Sequence, residues 1–298
     1  MNIRLINLLA IAMMCSSCKD GEIFEKEMYK NVVALISSEY HNTFQEVVPL
    51  TGSEVTGYLA ASSGGTHATN KDLVIELEES KEPFDKYNWA LFDADESLYA
   101  KLLSKDKYEI SDYSITIKAG ERIGRTVVKI RPEGLSPDST YFIALKAKGS
   151  DALEINEKKN TILYQVLIAN DYASQNKNDF YTMAGLSNNM VVAGNKRFFP
   201  LSKNTVRTIA GTETFENSLK HIENTSIIIE VNADNSLTIK PYKNLEMKQV
   251  NGNPRYTNHY YLEEAFGRKF HVFSLSYEYS IAKVTHYMEE ELRLEIIN

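Results

Sequence analysis

The sequence predicts an all-β chain of two domains, an immunoglobulin-like β-sandwich over residues 32–169 and a β-barrel or second β-sandwich over 180–298. Three observations lead there. Most of the chain alternates apolar and polar side chains with period two, as half-buried strands do. Turn residues such as Pro132-Glu133-Gly134, Ser136-Pro137-Asp138 and Lys148-Gly149-Ser150 break that alternation at short intervals. At 298 residues the chain is longer than one typical core requires.

The N-terminus reads as an export signal. Arg4 is followed by an apolar run from Leu5 to Met14, about half the length a membrane-spanning helix needs and suited to a signal peptide. The only two cysteines, Cys15 and Cys18, follow it. A C-x-x-C redox centre belongs at the end of a strand in a βαβ unit, and no strand precedes this one. A zinc site needs further ligands with suitable spacing, and the rest of the chain has no cysteine. The stretch instead resembles a lipoprotein box. Small Ser16 and Ser17 precede Cys18, whereas Met13 and Met14 precede Cys15, so Cys18 is the expected lipid attachment point. Its several acyl chains would make a durable anchor. Residues 1–17 are then the lipoprotein signal peptide and 18–31 a lipidated tether, with a charged first turn expected over 22–29. Lys19-Asp20-Gly21-Glu22 resembles the signal that sends Bacteroidetes lipoproteins to the outer face of the outer membrane.

In the first domain, strands are expected over 32–37, 72–79, 108–110, 113–120, 125–133, 140–148 and 162–168. Leu98, Leu102 and Leu103 suggest a helix over 96–103, and Trp89 is placed on a loop after Pro83. The polar stretch NDYASQNKND, 170–179, is the expected linker. In the second domain, strands 226–231 and 236–242 form a hairpin about Asn232-Ala233-Asp234-Asn235. Residues 268–280 alternate well, and 291–297 is taken as a strand because Leu292, Leu294 and Ile296 alternate with charges.

Catalytic patterns are scarce. No H-E-x-x-H, G-x-S-x-G, P-loop or G-x-G-x-x-G occurs, and Ser62-Ser63-Gly64-Gly65-Thr66 lacks the Lys of a phosphate-cradling loop. The six histidines have no metal-ligand spacing, so no metal or cofactor is expected, and His271 reads as an exposed strand position. The acids Asp93/Asp95 and Glu289–Glu291 read as solvated charge. With a formal charge of −7 and no basic stripe, nucleic-acid binding has no electrostatic footprint.

Residues 84–149 resemble the N-terminal module of a family of Bacteroidetes outer-membrane surface lipoproteins. The resemblance rests on Tyr87-Asn88 in an Asn-containing turn, Leu102-Leu103 with Tyr108, Ile117 with Gly120, and Leu135 with Tyr141 and Leu145. FFPLSKNTVRTIAG (198–211) and FSLSYEYS (273–280) are similar to its partner domain. Both modules are domains of unknown function, commonly encoded beside starch-utilisation-system-like transporters. The resemblance therefore implies glycan capture at the cell surface, with polysaccharide and a TonB-dependent transporter complex as partners. Asp138-Ser139-Thr140 resembles a Bacteroidetes O-glycosylation site, on Ser139.

Sugars stack their C–H faces on aromatic rings, so Trp89 and the loop NGNPRYTNHYY (251–261) are the candidate ligand contacts. On that loop Arg255, Tyr256, Asn258, Tyr260 and Tyr261 combine rings with hydrogen-bonding groups. The expected function is non-catalytic carbohydrate binding by a lipid-anchored surface protein. The alternative is an adhesin-like interaction protein, and a carbohydrate-active hydrolase stands third.

Overall fold

The computed structural model describes residues 32–150, 153–216 and 218–297. The signal peptide, the tether, Cys18 and the charged turn at 22–29 lie outside the described residues.

The N-terminal domain contains, in chain order, β1 (Val32–Leu35), β2 (Thr43–Pro49), β3 (Val55–Ser63), β4 (Leu73–Glu79), helix α1 (Glu82–Phe92) and β5 (Lys101–Leu102). There follow β6 (Tyr108–Ile110), β7 (Ser114–Ile117), β8 (Ile123–Ile130), β9 (Tyr141–Ser150), β10 (Glu154–Ile155) and β11 (Thr161–Ala169). They form two facing sheets, ordered β10-β1-β3-β8-β6 and β2-β11-β9-β4-β7, with β5 paired to β9. The sandwich is as expected. Its core is the inward set of alternating residues from both sheets, among them Val33, Leu59, Ile75, Ile115, Val128, Leu145 and Ile162, all close to fully buried. Gly57 is required at its position: any Cβ there would collide with the hydroxyl of buried Tyr164, which donates to Glu46 at 3.0 Å.

Two elements differ from expectation. Residues 82–92 form a helix, so Trp89 stands on a helix and not on a loop. Pro83 and the first-turn acids Glu82 and Asp85 favour its start, and it buries Phe84 and Asn88. Asn88, expected in a turn, is the helix's tether: its side chain accepts from Ala100 N at 2.8 Å and donates to Ala100 O at 3.3 Å. Conversely, the helix expected over 96–103 is a single 3₁₀ turn, Glu96–Leu98, followed by β5. Ala100 and Leu103 are buried, and the backbone around them is hydrogen-bonded to Thr140 and Phe142, so sheet pairing outweighs helical spacing here.

The C-terminal domain contains β12 (Tyr181–Ser187), β13 (Met190–Lys196), β14 (Phe199–Ser202), β15 (Thr205–Ile209), α2 (Leu219–Thr225) and β16 (Ser226–Val231). It continues with β17 (Leu237–Pro241), β18 (Glu246–Gln249), β19 (His259–Ala265), β20 (Arg268–Ile281) and β21 (Val284–Glu295). A six-stranded sheet runs β13-β12-β21-β20-β18 with β19 paired to β20, and a four-stranded sheet runs β14-β15-β16-β17. The two sheets face each other across one core as a second sandwich, joined at one edge by a bridge between Ser236 and His259. The strand expected over 291–297 begins seven residues earlier, at Val284.

The inward face of this second sandwich carries a buried ion pair. Lys196 Nζ lies 2.7 Å from Glu290 Oε1 and 2.6 Å from Oε2, and both side chains are essentially inaccessible. The Tyr277 hydroxyl donates to Glu290 at 2.7 Å and accepts from Gly211 N at 2.7 Å. Burial pulls the Lys196 ammonium down and the Glu290 charge opposes it. Gly185 lies opposite Glu290 in the β12–β21 ladder, and a Cβ on it would strike the Glu289 backbone, so glycine permits the close approach.

The expected linker is hydrogen-bonded at both ends. Asn170 donates to Ser202 O at 2.7 Å and Thr205 O at 3.1 Å in the second domain, and Gln175 donates to Pro137 O at 2.8 Å in the first. Beside it, Asp138 makes a bidentate ion pair with Arg207 of β15, with Nη2 to Oδ1 at 2.6 Å. Arg207 is 1% exposed, its guanidinium lying 4.8 Å from the Phe199 ring centre and 5.0 Å from that of Tyr242. Breaking such a pair leaves a buried charge uncompensated. Arg207→Met or Asp138→Leu alone is expected to cost about 3–5 kcal/mol in denaturant unfolding, and the double variant to recover part of the loss. A single-variant loss below about 1 kcal/mol, the usual size for an exposed pair, would contradict this.

Candidate functional site

The loop between β18 and β19 folds over the outer face of the six-stranded sheet. In a strand, neighbours point to opposite faces. With Glu290 turned inward, Glu289 and Glu291 therefore face out, aligned by register with Leu186 and Ala184 of β12 and with Ser276 and Ser274 of β20. Asn253 anchors the loop there. Its Oδ1 accepts from Arg255 N at 2.9 Å and Tyr256 N at 2.8 Å, and its amide donates to Glu289 and to Tyr287 OH. Asn258, at φ 52°, holds the far end: it accepts from Ser276 N at 2.7 Å and donates to Val250 O at 2.7 Å.

Between this loop and the β12–β13 hairpin lies a groove of about 330 Å³. Small and apolar residues line one side, including Ala184, Leu186, Val191 and Ala193, while Arg255, Tyr256 and Glu291 line the other. The Arg255 guanidinium sits 5.4 Å from the Tyr256 ring centre. Glu291 accepts from the Tyr261 hydroxyl at 3.1 Å. Burial, and next the Glu291 charge, push the Tyr261 phenol up to about 12, so it remains a donor at neutral pH. The groove thus presents a cationic donor, an anionic acceptor and an apolar floor.

The candidate residues divide. Arg255 is exposed and Tyr261 is 39% exposed, and both stand at or beside the groove. Tyr256 lines it but is only 6% exposed, so its ring is a supporting wall and not a stacking platform. Asn258 is 4% exposed and spends its side chain on the backbone. Tyr260 is a clear correction. It lies on β19 and not on the loop, so strand alternation sends it inward while Tyr261 points out. Its ring packs 5.0 Å from Phe273 and 5.2 Å from Tyr172, and burial pushes its phenol up to about 12. Trp89 is 62% exposed but belongs to the other domain. Ser139 accepts from Lys101 Nζ at 3.0 Å, and Asp138, the acid of that three-residue pattern, is committed to Arg207. The floor residues of β12 and β13 escaped sequence reading because only the register of β12 against β21 brings them to Glu291.

His271 also differs from expectation. It is half-buried, with Nδ1 2.9 Å from the Tyr260 hydroxyl and the Tyr172 ring 5.8 Å away. Among the described residues no group of three or more His, Cys, Asp or Glu could hold a metal ion.

The fold and groove define an all-β protein of two sandwich domains with an open, polar-rimmed surface site. An N-terminal-domain family model matches residues 24–154, and a C-terminal-domain model matches 160–293. The chain belongs to this two-domain family, which is represented among Bacteroides structures. One similar structure is a protein of unknown function from Bacteroides ovatus, 16% identical, with a TM-score of 0.67 over 89% of this chain and 94% of that one. A second, also of unknown function from Bacteroides ovatus, is 14% identical with a TM-score of 0.63, over 92% of this chain and 93% of that one. A third, described as an auxiliary nutrient binding protein from Bacteroides thetaiotaomicron, is 12% identical with a TM-score of 0.60, over 88% and 94%. No curated protein matches the chain.

Burial pulls the His271 imidazole below its ordinary value, and the Asp171 charge opposes this. A histidine held neutral contributes stability that is complete above its unfolded value near pH 6.5 and falls as pH drops from there through the folded value. The melting temperature of the unaltered protein is therefore expected to fall more between pH 7 and pH 5 than that of His271→Gln. Equal falls would remove His271 as the cause.

Proposed function

We propose that this is a non-catalytic glycan-binding protein of the cell surface, anchored in the outer membrane through Cys18 and facing the exterior, where it passes polysaccharide to a TonB-dependent transporter complex. The observation that carries the reading is the groove on the outer sheet face. Arg255 and Glu291 offer a charged donor and a charged acceptor beside small and apolar residues, a combination suited to the hydroxyls and C–H face of a sugar. The similar structure described as an auxiliary nutrient binding protein supports the class. The formal charge of −7 favours neutral polysaccharides over polyanions.

The acids of the outer sheet face also argue for binding. A glycosidase sets two carboxylates on opposite sides of the scissile bond. Glu289 and Glu291 stand two residues apart on one face of one strand, side by side, and each accepts a hydrogen bond within the protein. An adhesin-like role has one observation in its favour: edge strand β13 exposes Met190 (68%) and Val191 (86%), a surface on which another strand could pair.

Affinity gels cast with a panel of neutral polysaccharides test the reading. The unaltered chain is expected to be retarded by at least one of them, and Arg255→Ala/Tyr261→Ala to bind about tenfold more weakly, the equivalent of about 1.4 kcal/mol. No retardation by any polysaccharide would end the glycan reading. Anchoring is tested by fractionation: Cys18→Ala is expected to move the protein from the membrane to the soluble fraction.

A further inference from the structure

We propose that the turn bearing Tyr40 and His41, with the cleft beside it, is a second sugar-binding surface, on the N-terminal domain, that takes a separate segment of the same neutral glycan. The proposal rests on the glycan reading above and adds a site to it. Tyr40 is 77% exposed at the turn between β1 and β2, where it contributes little to any core. The turn nevertheless holds it in place. Ser38 N donates to Thr43 O at 2.7 Å, and Ser38 Oγ donates to Tyr40 O at 2.8 Å. His41 and Asn42 both occupy the left-handed region, at φ 54° and 52°, as the central residues of a tight turn closed by Thr43 N donating to Tyr40 O at 3.4 Å. Asn42 fastens the turn to the neighbouring chain segment, donating to Lys158 O at 2.9 Å and Thr161 Oγ1 at 3.1 Å.

A line of edge-to-face rings then ties the exposed tyrosine to the core. Tyr40 lies 4.9 Å from His41, His41 5.4 Å from Tyr87, and Tyr87 4.8 Å from the fully buried Phe142, each pair near perpendicular. An aromatic that the fold does not need for burial is thus preorganised by the fold.

Beside it opens a cleft of about 350 Å³, within the usual range of roughly 300–1,000 Å³ for small-ligand sites. His41, Asn160, Glu82, Glu157, Lys86 and Lys146 all line it. The two acids and two lysines balance in charge, which selects a neutral, hydroxyl-rich ligand over an anion. Trp89, 62% exposed, follows Lys86 by three residues and Glu82 by seven on α1, so it shares their stripe of the helix. Tyr40 and Trp89 would provide the flat faces on which sugar rings stack, with the cleft's charged and amide groups reading the hydroxyls between them. Two sites in one chain raise the effective concentration at the second once the first is filled, so long polysaccharides gain avidity that short ones do not.

The test compares full-length variants on an affinity gel cast with whichever neutral polysaccharide retards the unaltered chain. Tyr40→Ala/Trp89→Ala is expected to bind that polymer about tenfold more weakly, while saturation-transfer NMR with a short oligosaccharide of the same polymer still detects binding at the groove. Both side chains are exposed, so an unchanged melting temperature establishes that the variant is folded. Retardation of Tyr40→Ala/Trp89→Ala equal to that of the unaltered chain overturns the second surface and leaves the groove standing. Loss in this pair with Arg255→Ala/Tyr261→Ala unaffected supports the surface and refutes the groove. Failure of the unaltered chain to bind any glycan overturns the glycan reading, and this surface with it.

Discussion

The ion pair between Arg207 and Asp138 is the constraint on which the two-domain arrangement depends. Asp138 sits in the turn before β9, and Arg207 projects from β15 between the rings of Phe199 and Tyr242. A guanidinium so thoroughly removed from water must keep its carboxylate, which makes separation of the domains costly. Gln175 and Asn170 add neutral hydrogen bonds on either side of the junction. A polar decapeptide that could have been a free hinge is thereby fastened to both sandwiches.

A second buried charge performs a different task. Lys196, Glu290 and Tyr277 close a polar knot inside the C-terminal sandwich, and that knot fixes which glutamate of the 289–291 run points inward. With Glu290 committed to the core, Glu289 and Glu291 must emerge on the outer face. Glu289 anchors the covering loop through Asn253, and Glu291 becomes the acceptor in the groove. The chemistry of the outer surface is thus set by a salt bridge on the inner one.

Both proposed binding surfaces share a design. Each stands on a turn or loop whose backbone is held by asparagine side chains, Asn42 in one domain and Asn253 with Asn258 in the other. Asparagine suits this because it tolerates left-handed backbone and hydrogen-bonds main-chain groups. Contacts on such loops need little ordering when a ligand arrives, which is where weak, open sites otherwise lose affinity.

Much of the fold was legible from period-two alternation: the 226–231 and 236–242 hairpin, the long strand after Arg268 and the all-β character of both halves follow from it, while barrel against sandwich for the second half did not. The helix at 82–92 was not legible, because its burial rests on Phe84 and Asn88 alone and the Asn88 bonds to Ala100 are long-range. At the groove, the sequence singled out Arg255 and Tyr261 but could not separate Tyr260 from Tyr261. Composition treats the two tyrosines alike, and only their place on β19 sends one into the core and one to the surface. The sequence by itself determined the strand content and the turn chemistry, since these depend on neighbours along the chain. The inward turn of Glu290, the floor beneath Arg255 and the pairing of Arg207 with Asp138 were decided by the tertiary structure, because each joins residues far apart in sequence whose meeting depends on sheet register and domain docking.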